Sequence, residues 1–459
     1  MNRSIQPILK GSMLLSLYRA CSAGLAPLAP FVLTWRARLR RARLRREDRA
    51  RIGERLGRPS LARPHGRIAW LHGATAADIA SLLPLIDRLG SAGFHALVTT
   101  RDEDGSPPRL PPTALHQFAP LDAPRFLARF LACWRPDIAL IAGSEFWPNL
   151  ILETKRRSIP IALVDARFPA RAFLFWRRVP RLAGALFGQV DACLARTASD
   201  ADRFRYFGAV RAEAAGDPIY DFSPPPADGP ALARLAARIG ARPAWAAFPA
   251  DADEENVAIE AHRKIAAHFP DLVTIIAPRS ARRGQDIALR AGKLGLNARG
   301  AAGGRDEGPL PAIHIAGAFE AGLFYRLAGV VFLGKSLGTS LGRSIGGSLG
   351  KSTNRGGINP IEAAKLGCAI LYGPEIGDFE DAYAALDAAG GCALVHDAAT
   401  LASEVSLLLL DSAELREMGR AAADAVERRA GASTRIMQAI APYLAQAFVE
   451  PDITDETES

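Results

Sequence analysis

The sequence is poor in cysteine, has no metal-binding histidine pattern and lacks a long uncharged apolar run. Its five cysteines are scattered, odd in number and without a Cys-x-x-Cys pair, which is typical of reduced cytosolic thiols and not of a disulfide framework. The eight histidines include no His-Glu-x-x-His motif, so we predict no metal site. With 49% hydrophobic residues among 459, the chain has enough apolar material for two ordinary domains.

The apolar segment near the N-terminus, residues 11–35, is short for a membrane span. Its longest uncharged run, residues 20–35, falls short of the ~20 residues that a spanning helix needs. The dense arginine run follows the apolar part instead of preceding it, which argues against a secretory signal peptide. We therefore predict that residues 1–60 form a retained membrane anchor and basic helix, which lies in the membrane interface or spans it with distortion.

Positive charge is concentrated in one short segment. The formal net charge is +9, and residues 36–51 alone hold nine arginines against Glu47 and Asp48. Such a local excess argues against a nucleic-acid partner, whose groove would need lysine and arginine spread over a folded face. Arginines directly after an apolar anchor favour the anionic cytoplasmic leaflet, where each contributes about 1 kcal/mol. We expect contact with anionic lipids, and the alternative is a solvated basic helix packed on the first domain.

Short β-rich runs alternate with helical patterns in two series, which predicts two parallel α/β sheets. The two Rossmann-like domains are expected at residues 61–220 and 230–447, facing each other across a cleft. Residues 221–229 (DFSPPPADG) form the linker, because three consecutive prolines cannot continue a helix or a central strand. An acidic tail follows at 448–459. The predicted strands are 68–72, 96–100, 138–141, 161–164, 192–195, 244–248, 272–277, 313–315, 330–333 and 369–371.

Two motifs follow strands of the predicted sheets. Residues 143–149 (GSEFWPN) come after the strand at 138–141, and residues 356–362 (GGINPIE) follow the strand at 330–333 across a Gly/Ser repeat. Ligands of open α/β sheets bind where the strands end, so both motifs are expected to line binding sites. The repeat, residues 336–352, has a period of four and predicts an expanded loop. Residues 329–336 (GVVFLGKS) fit a phosphate-loop pattern, but their middle is an apolar strand, which argues against that interpretation.

Seven motifs, two of which overlap those above, support one family. They are WLHGATAAD (70–78), FWPNLILE (146–153), DAR (165–167), Pro-Arg (278–279), GLFYRLA (322–328), GGINPIEAA (356–364) and GP…DF (373–379). Together with the apolar anchor and the arginine run, they resemble the Kdo transferases of lipid A biosynthesis. These enzymes move 3-deoxy-D-manno-octulosonic acid (Kdo) from CMP-Kdo to a lipid A precursor. The resemblance implies a GT-B architecture at the inner (cytoplasmic) membrane with the catalytic domains on the cytoplasmic side, and no cofactor or metal besides the CMP-sugar donor.

The resemblance implies a donor site in the second domain. Its residues fall in three stretches: Pro278 and Arg279, then Glu320, then Gly356, Gly357, Asn359, Pro360, Ile361 and Glu362. A planar guanidinium suits a phosphate oxygen pair, and the resemblance assigns Arg279 to the CMP phosphate. Asn359 as cap, Pro360 first and Glu362 third would start a helix whose amides hold an anion, with Glu362 accepting from ribose hydroxyls. A surface arginine and simple helix capping are the alternatives.

The acceptor side departs from the family pattern. Where the family has a general-base Glu in a Ser-x-x-Glu run, residues 75–78 read TAAD, and we assign Asp78 and Glu145 as catalytic. The alternative for Asp78 is a capping-box carboxylate. Gly143 and Ile219 stand where the family has a Glu and a Lys that stabilise the transition state. These departures predict weakened transfer, which restoring both charges should raise.

The predicted function is therefore transfer of Kdo, or a related ulosonate, from CMP-Kdo to a lipid A precursor. The alternative is a diverged, non-catalytic homologue that binds nucleotide or the lipid A precursor.

Overall fold

The computed structural model describes residues 6–39, 51–101, 110–249, 251–280, 282–300, 308–317, 320–337, 356–377 and 379–449. The chain folds into two compact units, the first made of Met1–Asp221 with Ala430–Ser459 and the second of Phe222–Arg429. Each unit contains a seven-stranded parallel sheet, which confirms the predicted pair of parallel α/β domains. Their arrangement across a cleft stays a prediction.

The sheet of the first unit is covered on both faces. Its strands are β1 (Arg67–Gly73), β2 (Phe94–Thr100), β3 (Ala114–Phe118), β4 (Ile138–Ala142), β5 (Ile161–Ala166), β6 (Ala192–Ala195) and β7 (Ala212–Ala214). They follow the order β3-β2-β1-β4-β5-β6-β7. Because successive side chains of a strand point to opposite faces, Ile68 and Trp70 of β1 join one core cluster while Ala69 and Leu71 join another.

The described helices of the first unit are α1 (Gln6–Leu25), α2 (Ala29–Leu39), α3 (Ile52–Arg55), α4 (Ala76–Ser81), α5 (Leu83–Ser91), α6 (Pro124–Trp134), α7 (Pro148–Lys155), α8 (Ala170–Trp176), α9 (Pro180–Phe187), α10 (Ala198–Tyr206) and, from the end of the chain, α19 (Ala432–Val449). Short 3-10 helices occur at Ala26–Leu28 and Pro218–Asp221. Most of these helices connect one parallel strand to the next, as a parallel sheet requires.

The second unit repeats this architecture. Its strands are β8 (Ala244–Phe248), β9 (Val273–Ile276), β10 (Ala298–Gly300), β11 (Ile313–Ile315), β12 (Val330–Leu333), β13 (Ala369–Tyr372) and β14 (Cys392–Leu394), in the order β10-β11-β9-β8-β12-β13-β14. Its described helices are α11 (Gly229–Ile239), α12 (Ala252–Ala266), α13 (Arg283–Lys293), α14 (Ala321–Leu327), α15 (Ile361–Lys365), α16 (Glu380–Asp387), α17 (Ala398–Leu410) and α18 (Ser412–Glu427). The repeat segment at 338–352 lies outside the described residues.

The last helix corrects the predicted domain boundaries. The sequence assigns residues 230–447 to the second domain, but α19 packs in the first unit, where Ile436, Ile440 and Leu444 are buried in its core. Asp221, the last residue of the first segment, accepts hydrogen bonds from the backbone N–H groups of Gly431 and Ser433 at the start of α19. The helix ends at Val449, and the predicted acidic tail from residue 450 onward lies outside the described residues.

The N-terminal helix α1 packs against α9. Two polar contacts tie it to the first unit: the Tyr18 hydroxyl donates to Asp122 Oδ2 (2.8 Å), and Arg19 pairs with Glu153 (2.7 Å). None of the described helices is long and apolar enough to cross a membrane, so the predicted anchor is not confirmed. The arginine run from residue 40 to residue 50 lies outside the described residues.

Candidate functional site

The strand order of the first unit reverses between β1 and β4. β1 pairs with β2 on one side and with β4 on the other, and in open parallel sheets the crevice at such a reversal receives ligands. Asp78 follows β1 in the first turn of α4, and Glu145 follows β4. The structure therefore brings both predicted catalytic carboxylates to the same edge of the sheet, on neighbouring strands.

Both carboxylate oxygens of Asp78 have partners. Oδ2 accepts hydrogen bonds from the backbone N–H (3.0 Å) and the hydroxyl (2.9 Å) of Thr75, whose Oγ1 accepts in turn from the Asp78 N–H (3.2 Å). This is a capping box, so the alternative raised from the sequence is confirmed. Oδ1 accepts a hydrogen bond from Arg167 Nη2 at 2.6 Å. Oδ2 is therefore bound at the start of α4, and Oδ1 is bound to the Arg167 guanidinium.

Arg167 reaches Asp78 beside Gly143. A Cβ added to Gly143 would lie 3.3 Å from Arg167 Nη2 and 3.6 Å from Asp78 Oδ1. Gly143 also has a φ of +70°, a left-handed conformation that costs other residues about 1–2 kcal/mol. The Arg167 N–H donates to Gly143 O at 3.0 Å, which fixes the two loops together. Backbone and ion pair both favour glycine here, a structural reason that is independent of catalysis.

Further ion pairs connect Arg167 to charged residues at the ends of β5, β6 and β7. Fully buried Asp165 accepts two hydrogen bonds from Arg196, at 2.8 and 2.9 Å, and Arg196 also pairs with Asp217 at 3.1 Å. Burial raises the pKa of Asp217 to about 6, although Arg196 opposes the rise. Sequence reasoning missed Arg196 and Asp217, because they belong to different strand ends and no local spacing joins them. The available signal for Arg196 was its position directly after the predicted strand at 192–195, whereas Asp217 follows β7, which the sequence did not predict.

Glu145 lies near a neutral histidine. Its Oε2 accepts a hydrogen bond from Trp147 Nε1 and lies 3.9 Å from His72 Nε2 and 4.0 Å from Arg101 Nε. Burial lowers the pKa of His72 to about 4, so the imidazole is uncharged at neutral pH. His72 Nδ1 is held 3.0 Å from Thr99 Oγ1. His72 belongs to a family-like motif, yet the sequence alone gave it no role.

The three predicted donor-binding stretches all follow strands of the second unit. Pro278 and Arg279 come after β9, Glu320 after β11, and residues 356–362 after β12. Arg279 is exposed and makes no hydrogen bond or ion pair with any other described residue. The Glu320 carboxylate accepts from the Gly317 N–H at 2.9 Å, and residues 318 and 319 between them lie outside the described residues.

The Asn-Pro-Ile-Glu stretch starts its helix one residue later than predicted. α15 begins at Ile361, with Pro360 before it, so Glu362 is the second helical residue and not the third. Asn359 Oδ1 accepts from the Ile361 N–H at 3.0 Å, which satisfies one of the free amides of the first turn. Burial raises the pKa of Glu362, whose carboxylate has no hydrogen-bond partner among the described residues.

Gly357 allows the chain to pass close to its neighbours before this helix. It has a φ of +73°, and a Cβ there would lie 3.4 Å from Ile376 Cα and from a ring carbon of Tyr383. Its N–H donates to Lys335 O at 3.0 Å. The close approach that Gly357 permits is therefore made to protein atoms of the second unit.

The loop after β12 is occupied by a carboxylate of the protein itself. Buried Glu254 of α12 accepts hydrogen bonds from the backbone N–H groups of Lys335 (2.7 Å), Ser336 (3.0 Å) and Leu337 (3.0 Å). A phosphate loop would need such successive amides for phosphate. Because Glu254 takes them and Val330–Leu333 is a strand, the rejection of a phosphate loop is confirmed.

Parallel sheets with polar residues at their strand ends define a two-domain α/β protein with candidate ligand sites at those ends. Residues 50–221 match the family model described as 3-deoxy-D-manno-octulosonic-acid transferase (kdotransferase). A 3-deoxy-D-manno-octulosonic acid transferase from Bordetella pertussis is 30% identical over 448 residues, which cover 93% of this chain and 99% of that protein. A probable mitochondrial one from Arabidopsis thaliana is 28% identical, covering 91% of this chain and 93% of that protein. The chain belongs to the 3-deoxy-D-manno-octulosonic acid transferase family, as predicted.

Solved structures resemble the chain only distantly. The C-terminal CMP-Kdo binding domain of WaaA from Acinetobacter baumannii is 20% identical with a TM-score of 0.37, covering 43% of this chain and 99% of that domain. S. aureus MnaA with UDP is 13% identical with a TM-score of 0.48, covering 84% of this chain and 98% of that chain. These scores are too low to support a functional argument.

Proposed function

We propose that this chain is a glycosyltransferase that moves Kdo, or a related ulosonate, from CMP-Kdo to a lipid A precursor. The proposal depends above all on the position of Asp78: a chain of the Kdo transferase family carries a carboxylate where the strand order of its first unit reverses. Relatives named as Kdo transferases match this chain over nearly their whole length, which supports the same reaction here.

The donor half of the proposal uses the second unit. The exposed Arg279 guanidinium is free to take two oxygens of the CMP phosphate, because its planar fork of N–H donors matches phosphate geometry. Glu362, partly buried and without a hydrogen-bond partner among the described residues, would accept from the ribose hydroxyls. In this proposal the CMP-sugar is the donor substrate, and no metal or cofactor takes part.

The transfer itself would be a single displacement. Asp78 accepts the proton of an acceptor hydroxyl while the hydroxyl oxygen forms a bond to the anomeric carbon of Kdo. The bond between that carbon and the phosphate oxygen breaks, and CMP leaves with the electron pair. One displacement inverts the anomeric centre. Glu145 is the second carboxylate proposed at this edge, on the loop next to neutral His72.

The proposed location is the cytoplasmic face of the inner membrane. α1 exposes large apolar side chains, among them Met13 and Leu17, although it also packs on the first unit. A peripheral attachment fits these observations, because exposed apolar side chains followed in the sequence by arginines can bind anionic lipid without spanning the bilayer. A lipid A precursor embedded in that leaflet would be the acceptor.

A second candidate function is binding of nucleotide or lipid A precursor without catalysis. The observation in its favour is that Asp78 is already engaged at both oxygens, by Thr75 and by Arg167. A general base must come within hydrogen-bond reach of the hydroxyl that it deprotonates. The two candidates therefore differ in whether Oδ1 is released to substrate.

Donor binding is tested by calorimetric titration of the full-length protein with CMP. Arg279→Ala should weaken CMP binding by about 1.5–3 kcal/mol, the range for a hydrogen bond to a charged group. Arg282→Ala, which removes another exposed arginine from the same loop, is the matched control and should leave the affinity unchanged. Absence of CMP binding to the unmutated protein would contradict the donor site.

Catalysis is tested by transfer of labelled Kdo to a detergent-dispersed lipid A precursor. Asp78→Asn should abolish transfer while CMP affinity stays intact, because the base acts only on the acceptor. Asp78→Glu should keep or raise the rate, since glutamate also completes a capping box. Asp87→Asn on the exposed face of α5 is the control. A protein that binds CMP but transfers nothing, with Asp78→Asn changing nothing, establishes the binding function instead.

A further inference from the structure

Helix α8 exposes two large apolar side chains although its other face packs against the core. Leu174 and Phe175 are each 57% exposed. The other two large apolar residues of α8 pack inward: the ring of Phe173 lies 5.4 Å from that of Phe207, and the ring of Trp176 lies 5.5 Å from that of Phe187. Leu174 and Phe175 therefore lie on the outer face of a helix whose inner face, with Phe173 and Trp176, is partly buried against the core.

Only positive charges surround this exposed pair along the chain. Residues 168–190 contain four arginines and no aspartate or glutamate. All four, Arg171, Arg177, Arg178 and Arg181, are exposed, and none forms an ion pair within the part of the chain that the structure describes. On the adjacent α10, the exposed carboxylate of Asp202 is already paired with Arg205 at 2.5 Å. The surface formed by Leu174, Phe175 and the four arginines is called the α8 surface below.

We propose that the α8 surface is a second membrane contact of this chain, one that inserts Leu174 and Phe175 among anionic lipid headgroups. Apolar side chains ringed by arginine suit the boundary between headgroups and acyl chains, where the rings leave water and the guanidinium groups meet phosphate. Tyr206, 63% exposed, lies beside it with its ring 5.5 Å from that of Phe173, and tyrosine is typical of this boundary.

Two further observations favour a membrane as the occupant. α9 contacts both α8 and α1, and α1 exposes its own apolar side chains, so two helices with exposed apolar side chains pack on the same neighbour. α8 also begins three residues after Arg167, the partner of Asp78. Contact at α8 would hold this edge of the sheet at the lipid surface. That consequence for a lipid-borne acceptor rests on the proposed function, whereas contact with lipid does not.

Hydrogen–deuterium exchange of the full-length protein tests the contact directly. With phosphatidylglycerol vesicles, exchange should slow in peptides covering residues 168–181, and much less with phosphatidylcholine vesicles. The control is α17, which exposes Leu407 (57%) and Leu410 (73%) but has no arginine, and it should be unaffected. Protein that binds the vesicles with unchanged exchange at residues 168–181 would overturn the proposal.

Paired variants distinguish lipid contact at the α8 surface from nonspecific adsorption of the protein to vesicles. Arg177→Gln with Arg178→Gln should lower the vesicle partition coefficient roughly 10- to 30-fold, while Arg428→Gln with Arg429→Gln should not. Leu174→Ser with Phe175→Ser should also lower the partition coefficient. Leu407→Ser with Leu410→Ser is the matched control and should leave it unchanged. Transfer to a detergent-dispersed acceptor should persist in all four, which separates this proposal from the proposed function. Equal losses in test and control pairs, or lipid-free self-association that the test pairs abolish in sedimentation velocity, would contradict it.

Discussion

At the scale of single residues, Asp78 combines two roles in one short side chain. Its carboxylate caps α4 and also faces Arg167, which lies where a side chain at position 143 would otherwise point. Asp78, Gly143 and Arg167 therefore depend on one another. Substitutions at contacting residues are expected to be non-additive.

The first residue-scale prediction concerns Gly143→Glu. The sequence alone predicts faster transfer from this change, but the structure predicts a less stable protein that is not faster. A side chain there would adopt a left-handed conformation and press on the Arg167 guanidinium, at a cost of about 1–3 kcal/mol. Thermal unfolding measures the loss, with Gly292→Glu, whose added side chain meets open space, as the control. An unchanged melting temperature together with faster transfer would contradict this prediction and show that a side chain at position 143 is accommodated without strain.

The second residue-scale prediction concerns Asp217 and pH. Because burial raises its pKa from 3.8 to about 6 on folding, the folded state binds the proton more tightly than the unfolded state. Its contribution to stability is therefore present at acid pH and is lost as the pH rises from about 4 to about 6. The unfolding free energy of the wild type minus that of Asp217→Asn should fall across this window and then level off. Urea denaturation of the wild type and of Asp217→Asn at several pH values tests this, with Asp87→Asn as control. A difference in unfolding free energy that does not change with pH would contradict the prediction.

At the scale of elements, the predictions succeeded in the centre of each sheet and failed at its edges. All ten predicted strands exist, and the four that were missed, β3, β7, β10 and β14, are the four edge strands. Central parallel strands are buried on both faces and appear as apolar runs, whereas an edge strand such as β10 is partly exposed and has no such run.

The site residues also differ in whether the sequence alone could predict them. Glu145 could be placed at a strand end because its motif follows the apolar run 138–142, and Asp78 was assigned from the resemblance of residues 75–78 to the family motif. The pairing of Arg196 with Asp165 and Asp217 depends on which strands are neighbours, and the sequence does not state that order. The packing of α19 in the first unit could not be predicted for the same reason, since the sequence of an apolar helix face does not indicate which elements it packs against.

The element-scale prediction concerns the cap of α19. Asp221→Ala removes the acceptor of the Gly431 and Ser433 amides, so the first turn of α19 should fray and stability should fall by about 1–2 kcal/mol. Limited proteolysis should then cleave near residue 430. Asp228→Ala removes the cap of α11, where the carboxylate accepts from the Ala231 N–H at 2.8 Å, and should leave residue 430 protected. Equal protection in both variants would mean that the buried face of α19 alone holds it in place.

At the scale of the whole molecule, the two units divide the proposed work. The first carries the base, the N-terminal helices and the α8 surface, so acceptor chemistry and lipid contact belong to one compact body. The second carries the three donor stretches and no part of the proposed membrane surface. Donor affinity is therefore expected to be insensitive to lipid, while transfer to a membrane-borne acceptor depends on it.

The return of the last helix to the first unit also orders the events of protein synthesis. The second unit is one continuous stretch, Phe222–Arg429, and its core can close as soon as that stretch has left the ribosome. The first unit has to wait for α19, because Ile436, Ile440 and Leu444 complete its core. At ordinary translation rates its uncovered apolar face persists for roughly 10–40 s. The nascent chain should therefore bind chaperones during this interval, and premature termination after Arg429 should yield an aggregating product in which the second unit is nevertheless folded.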